Sequence, residues 1–114
     1  MEIKIVESIR KYNREINAKI KKGALHETGL VMTPELFTKV FSPERIKLLQ
    51  RIRRNKIKSI YQLARDLDKP YEVVFRNIKY LAGIGLITIV SKDHKKIPHM
   101  ACKLLSVDMF SAVA

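Results

Sequence analysis

Residues 71–84 contain the side chains best suited to specific recognition. Tyr71, Val74, Ile78 and Leu81 recur there at helical spacing, which predicts a helix with these residues on its buried face. Burying that face turns the neighbouring residues of the first two turns outward. The outward set is Glu72, Val73, Phe75, Arg76 and, further along, Lys79. The residues predicted to contact bases are Tyr71, Glu72, Val73, Phe75 and Arg76.

The residue types in this outward set match the chemistry of base edges in a nucleic-acid groove. Arg76 is the strongest member because a guanidinium can donate two hydrogen bonds to guanine O6 and N7. Glu72 can accept a hydrogen bond from cytosine N4. Because its charge repels phosphate, it would contribute more to the discrimination between bases than to affinity. Phe75 has two interpretations of equal standing: contact with a thymine methyl, or half-burial against the preceding helix.

Basic residues precede and follow this helix in the chain. Lysine and arginine at such positions suit phosphate contacts, which supply affinity and orientation but no sequence information. A single exposed lysine can equally be solvated and do little, but that interpretation explains the whole set poorly. The residues predicted to contact phosphate are Lys47, Arg51, Arg54, Arg65, Lys69, Lys79, Lys92, Lys95 and Lys96.

The overall composition favours a polyanionic partner. Lys and Arg number 23 against 11 Asp and Glu, a formal net charge of +12. A chain of 114 residues has room for one domain, and 46% apolar residues are enough for it to fold. The charge is uneven, with net +4 in residues 1–22, −1 in 23–42 and +9 in 43–114.

Helix-start signals are frequent between residues 33 and 70. Thr33 and Ser42 each stand before Pro-Glu, which places a capping hydroxyl, a first-turn proline and an acid in order. The second of these opens a helix from Pro43 to about Asn55. Ser59 to Gln62 forms a capping box that opens a short helix ending by Asp68. A tight turn through Pro70, which supplies no capping oxygen, then leads into the helix over 71–84.

Strand signals lie on both sides of these helices. Leu86–Val90 is rich in β-branched residues, residues 91–96 are polar, and a return strand begins at Ile97, so a hairpin with a basic tip is predicted. The apolar run over 29–32 could add a short strand. The alternation of Leu105, Val107 and Met109 is typical of a strand, within a stretch that remains ambiguous.

Residues 1–22 predict an amphipathic helix from about residue 4 to Lys22. Its apolar stripe is narrow, with charges on both flanks, which suits a dimerisation element. Packing against its own domain is an equally good interpretation. The stripe consists of Ile5, Ile9, Tyr12, Ile16 and Ile20.

The order of helix, short capped helix, tight turn, helix and hairpin is that of a winged helix-turn-helix. Leu63–Leu67, Tyr71–Leu81 and Gly85–Ile87 resemble the pattern of prokaryotic transcriptional regulators of the MarR and ArsR type. The resemblance covers about residues 42–98, and Pro34–Leu49 is similar to archaeal MarR-like regulators described as antitoxin-like. It implies a mainly α fold with a small β-hairpin wing, a DNA-binding domain over 33–98 and a C-terminal strand or tail over 99–114.

Other chemistries have weak signals. His99 and Cys102 are three apart, but structural zinc takes four ligands, usually in paired spacings, so neither a metal nor a cofactor is predicted. No Ser-His-acid or paired-carboxylate arrangement indicates an enzyme. A single cysteine, no secretory signal and no stretch of about 20 apolar residues favour a cytoplasmic protein without a membrane segment.

The sequence therefore predicts a sequence-specific regulator that binds double-stranded DNA as a homodimer. Two alternatives stay open: a nucleic-acid-binding protein without sequence preference, and an antitoxin-like module that binds a protein partner. A specific-to-nonspecific affinity ratio near one would favour the first alternative, and co-purification of a stoichiometric partner the second.

Overall fold

The structure, a computed structural model, describes residues 1–14, 29–54 and 56–110. Their elements divide between two compact units, Met1–Val40 with Leu104–Ala114 (unit 1) and Phe41–Lys103 (unit 2). In chain order the elements are β1 (Glu2–Ile5), α1 (from residue 9, described to residue 14), β2 (Leu30–Met32), α2 (Pro34–Val40), α3 (Pro43–Arg54), α4 (Ile60–Asp66), α5 (Tyr71–Ile84), β3 (Ile87–Lys92), β4 (Lys95–Met100) and β5 (Ser106–Asp108).

Unit 1 is built around a three-stranded parallel sheet in the order β2-β1-β5. The central strand β1 pairs with segments far away in the chain, since Ile3 lies opposite Leu30 on one side and Val107 on the other. Parallel pairs require long connections, so no hairpin signal marks them in the sequence. The short strand expected over 29–32 is confirmed as β2.

Gly29 allows β2 to approach β1 closely. Its φ is +116°, a conformation that residues with a side chain rarely adopt, and an added Cβ would collide with the Glu2 carbonyl oxygen. Ile3 at the centre of the sheet is fully buried, and Val6 and Tyr12 form a buried cluster with Ile9 packed against it. The beginning of α1 thus packs within its own unit.

Unit 2 begins with helices whose capping residues match the sequence signals. The Arg45 N–H donates to Ser42 Oγ at 3.3 Å and the Gln62 N–H to Ser59 Oγ at 3.0 Å, which fixes the starts of α3 and α4. The Gln62 side chain accepts from the Lys58 N–H and not from the Ser59 N–H that a capping box would use. In unit 1, Thr33 caps α2 in the same way as Ser42 caps α3.

The connection and the end of α5 are set by backbone geometry. Asp68 takes a positive φ of 53° between α4 and α5, and Pro70 at the start of α5 makes no side-chain capping bond. Gly85 ends α5 in the left-handed conformation, where its N–H reaches the carbonyls of Leu81 and Ala82. Val74, Ile78 and Leu81 are buried on α5, as the spacing predicts, but Tyr71, predicted on the same face, is exposed because it lies at the first turn, at the edge of that face.

The hairpin after α5 is confirmed, but its turn is tighter than expected. Strands β3 and β4 are antiparallel and pair as far as Lys92 opposite Lys95, which leaves two residues in the turn. Both of these, Asp93 and His94, have positive φ, and this is the geometry whose twist suits a two-residue hairpin. The basic residues expected in a loop are therefore held on paired strands.

The predicted fold class is wrong for this chain. The prediction was a mainly α protein with one hairpin wing, but β1, β2 and β5 form a parallel sheet. The assignment to the winged helix-turn-helix class is therefore wrong as well. The sequence pattern did not predict this sheet because each strand is only three or four residues long and its partners are not neighbours in the chain. The chain is an α+β protein in which unit 2 holds three helices and an antiparallel hairpin.

The N-terminal helix is also corrected. Glu2–Ile5 forms β1, and helix begins only at residue 9, so Ile5 belongs to a strand and not to the apolar stripe. The spacing of Ile5 from Ile9 fits a helix equally well, but pairing with two other strands stabilises the extended form. Tyr12 is buried within unit 1, and Ile16 and Ile20 lie outside the described residues.

Candidate nucleic-acid interface

The exposed side of α5 presents a basic and an acidic residue together. Glu72 and Arg76 are four residues apart, both are exposed, and they lie opposite the buried face formed by Val74 and Leu81. A helix with its side chains has a diameter of about 10–12 Å, close to the width of about 12 Å of the major groove of B-DNA. Arg76 and Glu72 are therefore placed to reach base edges if this side of α5 enters a groove.

On one flank of α5, three aromatic rings form what we call the aromatic row: Tyr61, Tyr71 and Phe75. The ring centroids of Tyr61 and Tyr71 are 6.3 Å apart, and those of Tyr71 and Phe75 are 5.6 Å apart in a stacked arrangement. The ammonium nitrogens of Lys96 and Lys79 lie 4.6 and 5.5 Å from the centroid of Phe75. Strand β4 thus contributes a cation to the flank of α5.

An open groove of about 540 Å³, here the hairpin groove, runs between α4, the start of α5 and the hairpin turn. Tyr61 and Tyr71 line it together with the basic residues Lys58, Arg65, Lys95 and Lys96. No acidic side chain is among its lining residues, all of which fall in the described ranges. The groove therefore combines aromatic faces with an uncompensated positive charge.

The opposite flank of α5 is tied to α3. The Nε of Arg45 donates to Asn77 Oδ1 at 3.1 Å, and its guanidinium lies 4.0 Å from the centroid of the Tyr80 ring. A smaller cavity of about 300 Å³ on this flank is lined by Lys47 of α3 and Val73 of α5, among others. Packing between helices is the main role that these contacts indicate.

The predicted base-contacting residues occupy three different positions on α5. Glu72 and Arg76 are on the exposed side. Tyr71 and Phe75 belong to the aromatic row, where Phe75 is half-buried against Tyr71 and the lysines. Val73 is half-buried in the cavity toward α3. The set predicted as one surface is thus spread around the helix, and only two of its members share its exposed side.

Six of the nine predicted phosphate-contacting residues form two groups. Arg65, Lys95 and Lys96 line the hairpin groove. Lys79 belongs with them because its ammonium lies near the ring of Phe75, which Lys96 also approaches. Lys47 and Lys69 both line the cavity toward α3, together with Glu44.

The remaining three predicted phosphate contacts line neither space. Lys92 is exposed on β3 and Arg54 is exposed at the end of α3. Arg51 is half-buried, and its Nε is buried without a hydrogen-bond partner among the described residues.

Sequence reasoning missed Tyr61, Lys58 and the tie from Arg45 to Asn77. Tyr61 follows the first residue of α4 and falls outside the apolar spacing of Ile60, Leu63 and Ala64, which marks it as an outward aromatic residue. That signal was available from the sequence. Its proximity to Tyr71 was not, because it depends on the turn between α4 and α5.

Two searches of the described ranges gave no further site. No three His, Cys, Asp or Glu side chains come together there in a way that could hold a metal ion. None of the helices in these ranges has the length and apolarity that a membrane crossing requires.

Comparison with known proteins gives one match. The model of the HVO_A0114 family matches residues 40–104, more than half of the chain, and the chain therefore belongs to that family. Searches of curated proteins and of solved structures each found no match. The resemblance to MarR and ArsR regulators is not tested by this result and stays a prediction.

Proposed function

We propose that the protein is a sequence-specific transcriptional regulator that binds double-stranded DNA with α5 in the major groove. The observation that carries the proposal is the pair of Arg76 and Glu72 on the exposed side of α5. A guanidinium and a carboxylate on one groove-sized helix can distinguish guanine and cytosine from the other bases. A surface of lysines alone would bind phosphate without this discrimination.

The basic residues around α5 support the same orientation. Lys92, Lys95 and Lys96 on the hairpin are exposed on one flank, and Lys47 and Lys69 are exposed on the other. With α5 in a groove, cations on its flanks meet the phosphates that border the groove. They supply affinity, and Arg76 and Glu72 supply the choice of sequence.

The proposal includes a homodimer in the cytoplasm. Two copies of α5 in successive major grooves would lie about 34 Å apart and would require a pseudo-palindromic operator. Tyr12, one of the residues predicted to form the dimer, is buried within unit 1. Exposed apolar side chains near β5, with Leu104 at 74% and Phe110 at 91% exposure, suit contact with a second copy or with a protein partner.

The test is a titration of duplex fragments from the source genome with wild type, Arg76→Ala and Arg53→Ala. Arg53 is exposed on α3 outside the predicted contacts, so its substitution removes the same charge. Each lost bidentate contact removes discrimination of about 1–3 kcal/mol, or roughly 5- to 150-fold in affinity. We expect Arg76→Ala to lose this part of the wild-type preference between fragments and Arg53→Ala to keep the preference in full.

Two results would refute sequence-specific binding through α5. A preference in Arg76→Ala as strong as that of the wild type would place recognition elsewhere. Equal affinity of the wild type for all fragments, with a steep dependence on salt, would favour a nucleic-acid-binding protein without sequence preference.

A further inference from the structure

The aromatic row has exposed ring area that packing of unit 2 does not use. Tyr61 is 61% exposed and Tyr71 is 37% exposed, and both rings line the hairpin groove. The two rings are tilted by 43° to each other, and their exposed apolar faces favour ligands that carry flat groups. Phe75 at the other end of the row is covered by Tyr71 and approached by Lys96 and Lys79.

The charges around these rings define the chemistry of the ligand. Lys58, Arg65, Lys95 and Lys96 surround the groove, and no carboxylate lines it. A ligand with flat aromatic groups and regularly spaced negative charges satisfies both properties. Nucleotides in a chain combine these two features, because each carries one base and one phosphate.

The rings select unpaired nucleotides over a duplex. In a duplex each base is already stacked between its neighbours, so a tyrosine ring can stack only on a base that has left the helix or belongs to a single strand. Stacking of this kind tolerates any base, because every base has a π-face. The hairpin groove is thus suited to a different form of nucleic acid from the exposed side of α5.

We propose that the hairpin groove binds unpaired nucleotides of a single-stranded nucleic acid. Bases stack on Tyr61 and Tyr71, and the phosphates contact Lys58 and Arg65. The inference rests on the proposed function in one respect, the nucleic-acid partner, but uses residues other than Arg76 and Glu72. Both surfaces together would let the protein bind a duplex that adjoins an unpaired stretch.

Binding of fluorescent oligonucleotides followed by anisotropy tests this site. The probes are oligodeoxythymidine, oligouridine and a mixed-sequence duplex, each titrated with wild type, Tyr61→Ala, Tyr61→Phe and Arg76→Ala. Loss of one stacked base weakens binding about 5- to 150-fold. We expect Tyr61→Ala to show this loss with single strands and less than about twofold with the duplex, whereas Tyr61→Phe, which keeps the ring, binds like wild type.

The outcomes separate this inference from the proposed function. Binding of either single strand with dependence on the Tyr61 ring supports the groove, and the preferred probe shows whether DNA or RNA is the natural source. No binding of either single strand, or equal binding by Tyr61→Ala and wild type, overturns it. Arg76→Ala should bind single strands normally, so a failure of duplex recognition leaves the test of the groove intact.

Discussion

Two cations lie over aromatic rings on opposite flanks of α5, and they differ in burial and in role. Arg45 lies 4.0 Å from the centroid of Tyr80, is half-buried and is hydrogen-bonded to Asn77. Lys96 lies 4.6 Å from the centroid of Phe75 and is exposed at an open groove. Similar contacts therefore serve packing on one flank and leave a charge accessible to a ligand on the other.

The largest expected effect on stability is at Arg45. Removal of its side chain in Arg45→Ala deletes a part-buried charge-assisted hydrogen bond and a cation–π contact, so the free energy of unfolding should fall by about 1–3 kcal/mol. Urea unfolding measures the change. An unfolding free energy equal to that of wild type would show that this flank does not stabilise the helix pair.

Two alanine substitutions near the end of α5 should change the free energy of unfolding in opposite directions. Gly85→Ala forces a side chain into a φ of +102° and should lower the free energy of unfolding by about 1–2 kcal/mol. Gly83→Ala replaces a glycine inside the helix, where an added Cβ meets no atom within 4 Å, and should raise it by about 0.5–1 kcal/mol. Thermal unfolding of the two variants side by side gives the comparison, and equal signs would contradict the assigned helix end.

The smallest effect on stability is expected at Lys96. Because this lysine is exposed, Lys96→Ala should lower the free energy of unfolding by about 0.5 kcal/mol, the lower end of the range for an exposed cation–π contact. Its effect should appear instead in binding, where loss of one phosphate contact lowers the slope of log affinity against log salt concentration by about 0.9 for duplex DNA. An unchanged salt slope would remove Lys96 from the interface.

The helix ends and the buried helix face of unit 2 were predicted because they depend on signals from neighbouring residues. Ser42, Ser59 and Gly85 each act within a few residues of their own position, and the structure confirms the helix ends that they indicate. The spacing of Val74, Ile78 and Leu81 likewise identified the buried face of α5. These features depend on neighbours in the chain and are therefore readable in it.

Features that depend on distant residues were not predicted. The parallel sheet joins Ile3 to Leu30 and Val107, and no local pattern specifies such partners. The aromatic row joins Tyr61 of α4 to Phe75 of α5 through Tyr71, and the approach of Lys96 depends on the register of the hairpin. The sequence thus indicates residue types for the candidate site, and their arrangement comes from the structure alone.

The most direct test of the central claim is a selection of bound duplexes from random DNA with wild type and Arg76→Ala in parallel. The account predicts a two-fold symmetric motif for the wild type, with guanine at one position of each half-site, and loss of preference at that position alone for Arg76→Ala. Enrichment of no motif by the wild type, or of the same motif by both proteins, would contradict the claim that α5 reads sequence through Arg76.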